Sequence, residues 1–306
     1  KNGKSTFKKI IQRDSKHVSK EISSTSTDEC PPRLTDSSLR YVDGKKYYRD
    51  TPCVFPVDER ETIRNKEKQI ITKLLWQGNF SAPIGDHLKA GGLKILDVGC
   101  GPGTWILEMA KTYPSCLFTG VDISPTYPLR DLPENVEFIQ ANILDRLPIE
   151  SGKFDFVVMH FLNGCFTLRQ WESIIIQEVS RVMKPGAWLE WLLCDASLKN
   201  QGENTKKLLQ AFLSLVHSRG INPWTVVEIP GILKNSGKFV NIKSEKRVVT
   251  YSFRESGQLA TKGFMDMFQY MKKPISEFMS ITSHEYDQLL NKTHEELEQG
   301  QTMNDY

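Results

Sequence analysis

Leu93-Lys-Ile-Leu-Asp-Val-Gly-Cys-Gly-Pro-Gly-Thr104 reads as an apolar strand that ends in Asp97, passes through glycines at alternate positions and opens a helix at Thr104. Gly99, Gly101 and Gly103 permit a tight turn and let a ligand lie against bare backbone. Thr104 is placed to cap the new helix and aim its N–H groups at bound polar atoms. A second strand, Leu117 to Asp122, ends in another carboxylate about twenty residues beyond the glycines, where an acidic side chain accepts hydrogen bonds from ribose hydroxyls. An adenosine-containing ligand is therefore expected. Nicotinamide dinucleotides obey the same logic, but their loop is spaced G-x-G-x-x-G, whereas this one is G-x-G-x-G directly after Asp97.

Outward from this turn the chain alternates strand and helix patterns, the signature of βαβ units and a mainly parallel sheet. Strands are expected at Leu93 to Val98, Leu117 to Asp122, Val136 to Gln140, Phe154 to His160 and Ala187 to Cys194. A helix from Leu168 to Met183 stops at Lys184-Pro185-Gly186. Upstream, Asp58 to Gln77 carries Ile63, Ile70, Ile71, Leu74 and Leu75 at the spacing of one helical face. Downstream, helices are expected at Thr205 to Ser218, Gly263 to Met271 and His284 to Glu298, and a long strand at Phe239 to Thr250. The organisation read from this is a flexible basic Ser/Thr-rich tail over 1–40, a cap or lid segment with a helix over 41–90, a ligand-binding core over 91–195, and a C-terminal part of the same domain over 196–306 with helices on the substrate side. Lys8, Lys9 and Arg13 fall in the tail, as solvated charge, a nuclear address or an anion-binding arm.

With 40 basic and 37 acidic residues the net charge is +3, which marks the chain for neither nucleic acid nor a membrane surface. No apolar run approaches the roughly 20 residues that cross a bilayer. Cytoplasmic placement is expected, with the nucleus open through the basic tail. The six cysteines Cys30, Cys53, Cys100, Cys116, Cys165 and Cys194 show no metal-ligand spacing, so reduced structural thiols and no metal are expected.

Further motifs join the glycine turn: Val57-Asp-Glu-Arg-Glu61, Leu96-Asp-Val-Gly-Cys-Gly-Pro-Gly-Thr-Trp105, Gly120-Val-Asp-Ile-Ser-Pro125, Phe154-Asp-Phe156 and Lys184-Pro-Gly-Ala-Trp-Leu-Glu190. Together they resemble the class I S-adenosylmethionine-dependent methyltransferases, and among them the fungal LaeA-like methyltransferase-domain family, over about Tyr41 to Glu190. The resemblance implies an α/β, Rossmann-like fold whose mostly parallel sheet is flanked by helices. It also implies S-adenosylmethionine as cofactor. Asp97 and the turn Gly99, Cys100, Gly101 and Gly103 would hold the methionyl part, Asp122 the ribose, and Ile123 and Ile143 the adenine. Asn142 stands where many members carry an acid that accepts from the adenine amino group, and its amide carbonyl can also accept. A class I core ordinarily closes with two antiparallel strands. After Phe239 to Thr250 the pattern offers only helix, so either the last strand is missing or Val248 to Phe253 takes its place.

Methyl transfer from a sulfonium is an in-line displacement, in which the protein aligns a nucleophile and removes its proton where needed. The carboxyl ends of the fourth and fifth strands point to His160, Asn163 and Asp195, with His160 the candidate general base as well as a cofactor neighbour. Glu190 either faces the cofactor or pairs with a neighbour. Tyr47 and Tyr48 offer aromatic faces to a sulfonium as a lid, or simply pack. Met265, Met267, Phe268 and Tyr270 suit an apolar acceptor pocket or core. The reading is a methyltransferase with a small-molecule acceptor. Nucleic acid is disfavoured because no Asn-Pro-Pro-Tyr type motif follows the fourth strand. The alternative is a LaeA-like cofactor-binding regulator that acts through a protein partner.

Overall fold

Seven strands order the centre of the computed structural model, which describes residues 8–15, 39–42, 44–49, 51–252 and 255–305. The strands are β1 (Lys8–Arg13), β4 (Lys94–Val98), β5 (Leu117–Asp122), β6 (Val136–Gln140), β7 (Phe154–His160), β8 (Met183–Leu192) and β10 (Phe239–Glu245), between which a small hairpin, β2 (Leu39–Val42) and β3 (Lys45–Tyr48), follows β1. Their order across the sheet is β10-β1-β8-β7-β4-β5-β6. Strands β6, β5, β4, β7 and β8 are mutually parallel, and β1 runs antiparallel to both β8 and β10. The expected mostly parallel α/β sheet is present.

The position beside β8 is filled from the N-terminal side of the chain. Lys8 to Arg13 was expected to lie in a flexible tail; it is instead an inner strand. Ile11 is buried among Leu189, Trp191 and Phe239 on one face, and Ile10 among Ala82, Ile84 and Leu88 on the other. Two adjacent isoleucines thus serve two cores, as a strand covered on both faces requires. Lys8 and Lys9 are buried rather than solvated, Lys8 against Glu190 and Lys9 donating to Ser244 Oγ at 2.6 Å. Residues 1–7 and 16–38 of the expected tail lie outside the described residues. The long strand expected over Phe239 to Thr250 is two: β10 joins the main sheet, while β11 (Val248–Thr250) pairs with β12 (Met303–Asp305), which pairs with β9 (Leu198–Lys199). So β11 does not replace the last strand of the main sheet.

Helix α1 (Glu59–Trp76) starts at Asp58, whose carboxylate accepts from Glu61 N at 3.0 Å, and ends at Gln77 in the left-handed region. The expected apolar face is split: Ile71 and Leu75 pack on the core. Ile63, Ile70 and Leu74 are about half exposed, while Arg64, Gln69, Ile71 and Thr72 are buried. The short α2 (Gly85–Ala90) and α3 (Thr104–Thr112) cover one face of the sheet. On the other, α4 (Leu168–Gln170) runs through a π turn, Trp171–Ile175, into α5 (Ile176–Val182), and β8 begins directly at Met183. Helix α7 (Thr225–Asn235), unforeseen because Pro230 interrupts its pattern, closes the same side with Ile229, Ile232 and Leu233. A second core joins α6 (Glu203–Ser218), α8 (Glu255–Tyr270), α9 (Lys272–Met279) and α10 (Ser283–Glu298) with β9, β11 and the inner side of α1. This helical cap stands at the carboxyl ends of the parallel strands.

The glycine turn is held by its neighbours. Gly103, not Thr104, is the N-cap of α3, with φ +71° and no side-chain cap. A Cβ on Gly103 would sit 2.6 Å from Phe138 Cζ, and Phe138 is stacked on Tyr127 at 4.5 Å, so it has little room to yield. Gly103→Ala should therefore cost about 2–5 kcal/mol, the sum of left-handed strain and overpacking. The midpoint of urea unfolding checks this; an unchanged midpoint would mean that the turn relaxes freely.

Candidate cofactor and acceptor site

A cavity of about 240 Å³ opens at the carboxyl ends of β4, β5, β6 and β7. The sequence places polar groups there because each parallel strand hands its last residue to the same edge. Asp97, Gly99, Cys100, Gly101, Asp122, Ile123, Asn142, Ile143 and His160 all line it. Gly103 does not; its role is the turn and the packing on Phe138.

Asp122 organises the turn. Its Oδ2 accepts from Gly101 N at 2.8 Å and its Oδ1 from Ser124 N at 2.8 Å, while Gly99 N and Cys100 N donate to Val121 O. Each carboxylate oxygen retains acceptor capacity toward the cavity. Burial raises the Asp122 carboxyl above the usual range, opposed by those backbone N–H groups. Asp97 differs. It is buried, makes no hydrogen bond or ion pair with another described residue, and burial together with the nearby Asp122 charge pushes its carboxyl up to about 8. A buried carboxyl without an internal partner, lining a cavity, is matched by a ligand ammonium or hydroxyl. Asn142 spends part of its capacity locally, its Oδ1 accepting from Leu144 N at 3.1 Å.

His160 is brought to the cavity, packed edge-on to Trp105 at 5.8 Å. Lys8 on β1, Leu192 on β8 and His160 on β7 lie in one cross-strand row. Burial, and then the Lys8 charge, drive the imidazole down to about 3. At neutral pH it is uncharged and a weak base, and its buried Nε2 has no hydrogen-bond partner among the described residues. Glu190 takes the pairing alternative: Lys8 Nζ is 2.6 Å from its Oε1, and Ser81 N and Ala82 N donate to its Oε2.

Tyr48 lies over the cavity and donates from its hydroxyl to Ile123 O at 2.6 Å, whereas Tyr47 packs away from it beneath Arg40. Tyr270 bonds the Asp58 carboxylate, Phe268 is core, and Met267 alone of the expected apolar group reaches a cavity wall. That wall belongs to a second cavity, of about 180 Å³, also lined by Asn163 and Asp195. The two cavities share Phe55, Arg64, Lys68 and Phe161. Asn163 Nδ2 donates to Cys194 O at 3.1 Å, and Asp195 Oδ1 accepts from Ser197. Lys68 and the pair Cys53 and Cys165, whose sulfurs lie 3.4 Å apart on the first cavity's wall, were not foreseen. A polar run at 61, 64, 65, 68 and 69 on α1 was the available signal for Lys68; no spacing rule joins two cysteines 112 positions apart.

Residues 95–186 match the family described as methyltransferase domain, and this stretch carries the glycine turn and the parallel strands of a class I methyltransferase fold, for which S-adenosylmethionine is the cofactor. The resemblance to the LaeA-like group is matched by measured similarity. The chain is 32% identical over 179 residues to methyltransferase pytC of Aspergillus terreus, covering 56% of this chain and 52% of that protein. To the secondary metabolism regulator laeA of Aspergillus niger it is 31% identical over 156 residues, 50% of this chain and 40% of that one. The chain thus spans about half the length of the first and less of the second. Among solved structures it is similar to Haemonchus contortus phosphoethanolamine N-methyltransferase 2 in complex with phosphomonomethylethanolamine and S-adenosylhomocysteine, with a TM-score of 0.41 and 17% identity over 82% of this chain and 59% of that one.

Proposed function

We propose that the chain is a methyltransferase that holds S-adenosylmethionine in the first cavity and transfers its methyl group to a small molecule bound beside it. The observation that carries this is the pair of aspartates at the ends of β4 and β5 around the glycine turn, Asp97 one residue before the end of β4 and buried without a side-chain partner among the described residues. Asp97 suits the methionyl ammonium, Asp122 the ribose hydroxyls, and Ile123 and Ile143 the adenine faces. S-adenosylmethionine supplies an electrophilic sulfonium methyl, so the chain's task is alignment and exclusion of water. The small-molecule preference rests on the largely apolar second cavity that shares walls with the first. No proton transfer is assigned to His160, which stays neutral.

Incubating the protein with methyl-tritiated S-adenosylmethionine and cell extract separated by mass should move label into low-mass, organic-soluble product. Label found only on protein would overturn the small-molecule reading. Cofactor binding with no transfer to any fraction would favour the regulatory alternative.

The Asp97 carboxyl also fixes a pH dependence. Its value in the fold, about 8, lies above the ordinary carboxylate range, so the unligated fold gains from it fully at acid pH and loses that gain as pH rises from about 4 through 8. A ligand ammonium favours the ionised form. Affinity should therefore rise between pH 6 and 7.5, by up to about tenfold per unit, with close to one proton released on binding. Calorimetry in two buffers of different ionisation enthalpy measures that proton; a value near zero would separate Asp97 from the ammonium.

A further inference from the structure

We propose that the methyl acceptor is an apolar carboxylic acid, its carboxylate held by Lys68 at the junction of the two cavities and its hydrocarbon or aromatic body in the second. This rests on the cofactor reading above. Lys68 is half-buried on α1 and lines both cavities, its ammonium 5.1 Å from the Phe161 ring and 5.9 Å from the Phe55 ring. No described carboxylate pairs with it. Glu61, the nearest in its field, is taken by both forks of the Arg64 guanidinium, at 2.7 and 2.5 Å. A half-buried ammonium flanked by aromatic rings and a second cation is costly to charge, and burial draws it down to about 8. At neutral pH it is still mainly protonated, and an anion arriving from the second cavity completes it.

The rest of that cavity selects for an apolar body. Leu209, Phe212, Val216, Ile221, Phe264 and Met267 form its walls. The two acids on its lining are engaged, Glu67 by Lys262 at 2.8 Å and Asp195 by Ser197.

The acid-base groups lining the first cavity point the same way. A phenol, alcohol or thiol acceptor needs a base, and the candidates are committed: Asp58 to Tyr270 and Glu61 N, Asp122 to two backbone N–H groups, Asp97 to the cofactor ammonium on the reading above, and His160 is too weak. An amine would meet the Lys68 charge. A carboxylate is ionised already at neutral pH. One of its oxygens forms the new O–CH₃ bond as the C–S bond breaks, the electron pair staying on sulfur. The products are a neutral methyl ester and S-adenosylhomocysteine, and no proton moves. The ester no longer pairs with Lys68, which favours its release.

The test is binding of trans-cinnamate and dodecanoate, with cinnamamide and dodecanol as neutral counterparts, to protein saturated with S-adenosylhomocysteine. Tryptophan fluorescence is the readout. Each acid should bind at least about tenfold more tightly than its neutral counterpart, the scale of a charge-assisted hydrogen bond. Lys68→Met, which keeps the stem and removes the charge, should erase that preference, and Lys68→Arg should restore it. Retained S-adenosylhomocysteine affinity in both variants shows them folded. Equal binding of acids and neutral counterparts, a preference that survives Lys68→Met, or no binding of either acid would overturn the proposal. Failure of wild-type protein to bind S-adenosylhomocysteine would instead overturn the cofactor reading beneath it.

Discussion

Asp122→Ala should weaken S-adenosylmethionine binding by about 100-fold, and Asp122→Asn by less. The carboxylate holds Gly101 N and Ser124 N at 2.8 Å each, so its removal strips two backbone donors of their partner and deletes the acceptor for the ribose. Leaving a buried donor unsatisfied costs about 1–3 kcal/mol. Part of that penalty falls on the free protein and part on the complex. A net loss of about 3 kcal/mol in binding corresponds to the stated factor. Asparagine keeps one acceptor oxygen and so preserves one of the two anchors. Parallel titrations of the two variants and the parent measure the ratios, with circular dichroism confirming the fold. An alanine variant that binds as tightly as the parent would remove Asp122 from the site.

Lys8→Met should destabilise the protein by about 3–5 kcal/mol, the cost of abandoning a buried charge whose partner stays behind. That partner, Glu190, is 0% exposed and fixed by Ser81 N and Ala82 N, so it cannot turn to water. The double variant Lys8→Met/Glu190→Gln should recover most of the loss, because the amide oxygen still accepts from both backbone groups and no charge remains. Urea unfolding of the four proteins forms a double-mutant cycle. Additive losses would mean that Lys8 and Glu190 do not meet, and with them would go the placement of β1 beside β8.

Those two residues also mark where the sequence speaks and where it does not. Strands β5, β6 and β7 coincide with their expected bounds, because apolar runs closed by turn residues are local signals. The glycine turn and Asp122 were legible for the same reason. Strand β1 was not: six residues with two isoleucines among lysines look solvated, and Glu190 and the Trp76 ring, both far along the chain, are what make a buried Lys8 affordable. Helix α1 was legible as a helix but not in its facing. Spacing fixes which side chains share a side, whereas the cavity beneath α1 is what turns Arg64 and Gln69 inward and leaves Ile63, Ile70 and Leu74 outside. Lys68 follows from that facing, so the acceptor side of the site became visible only with the tertiary packing.

The central claim is that the cavity at the ends of β4 and β5 is an S-adenosylmethionine site. Calorimetric titration of the wild-type chain with S-adenosylmethionine and then S-adenosylhomocysteine tests it most directly. Saturable binding of both at one site, with mutual displacement, is the predicted result; properly folded protein that binds neither would contradict the account.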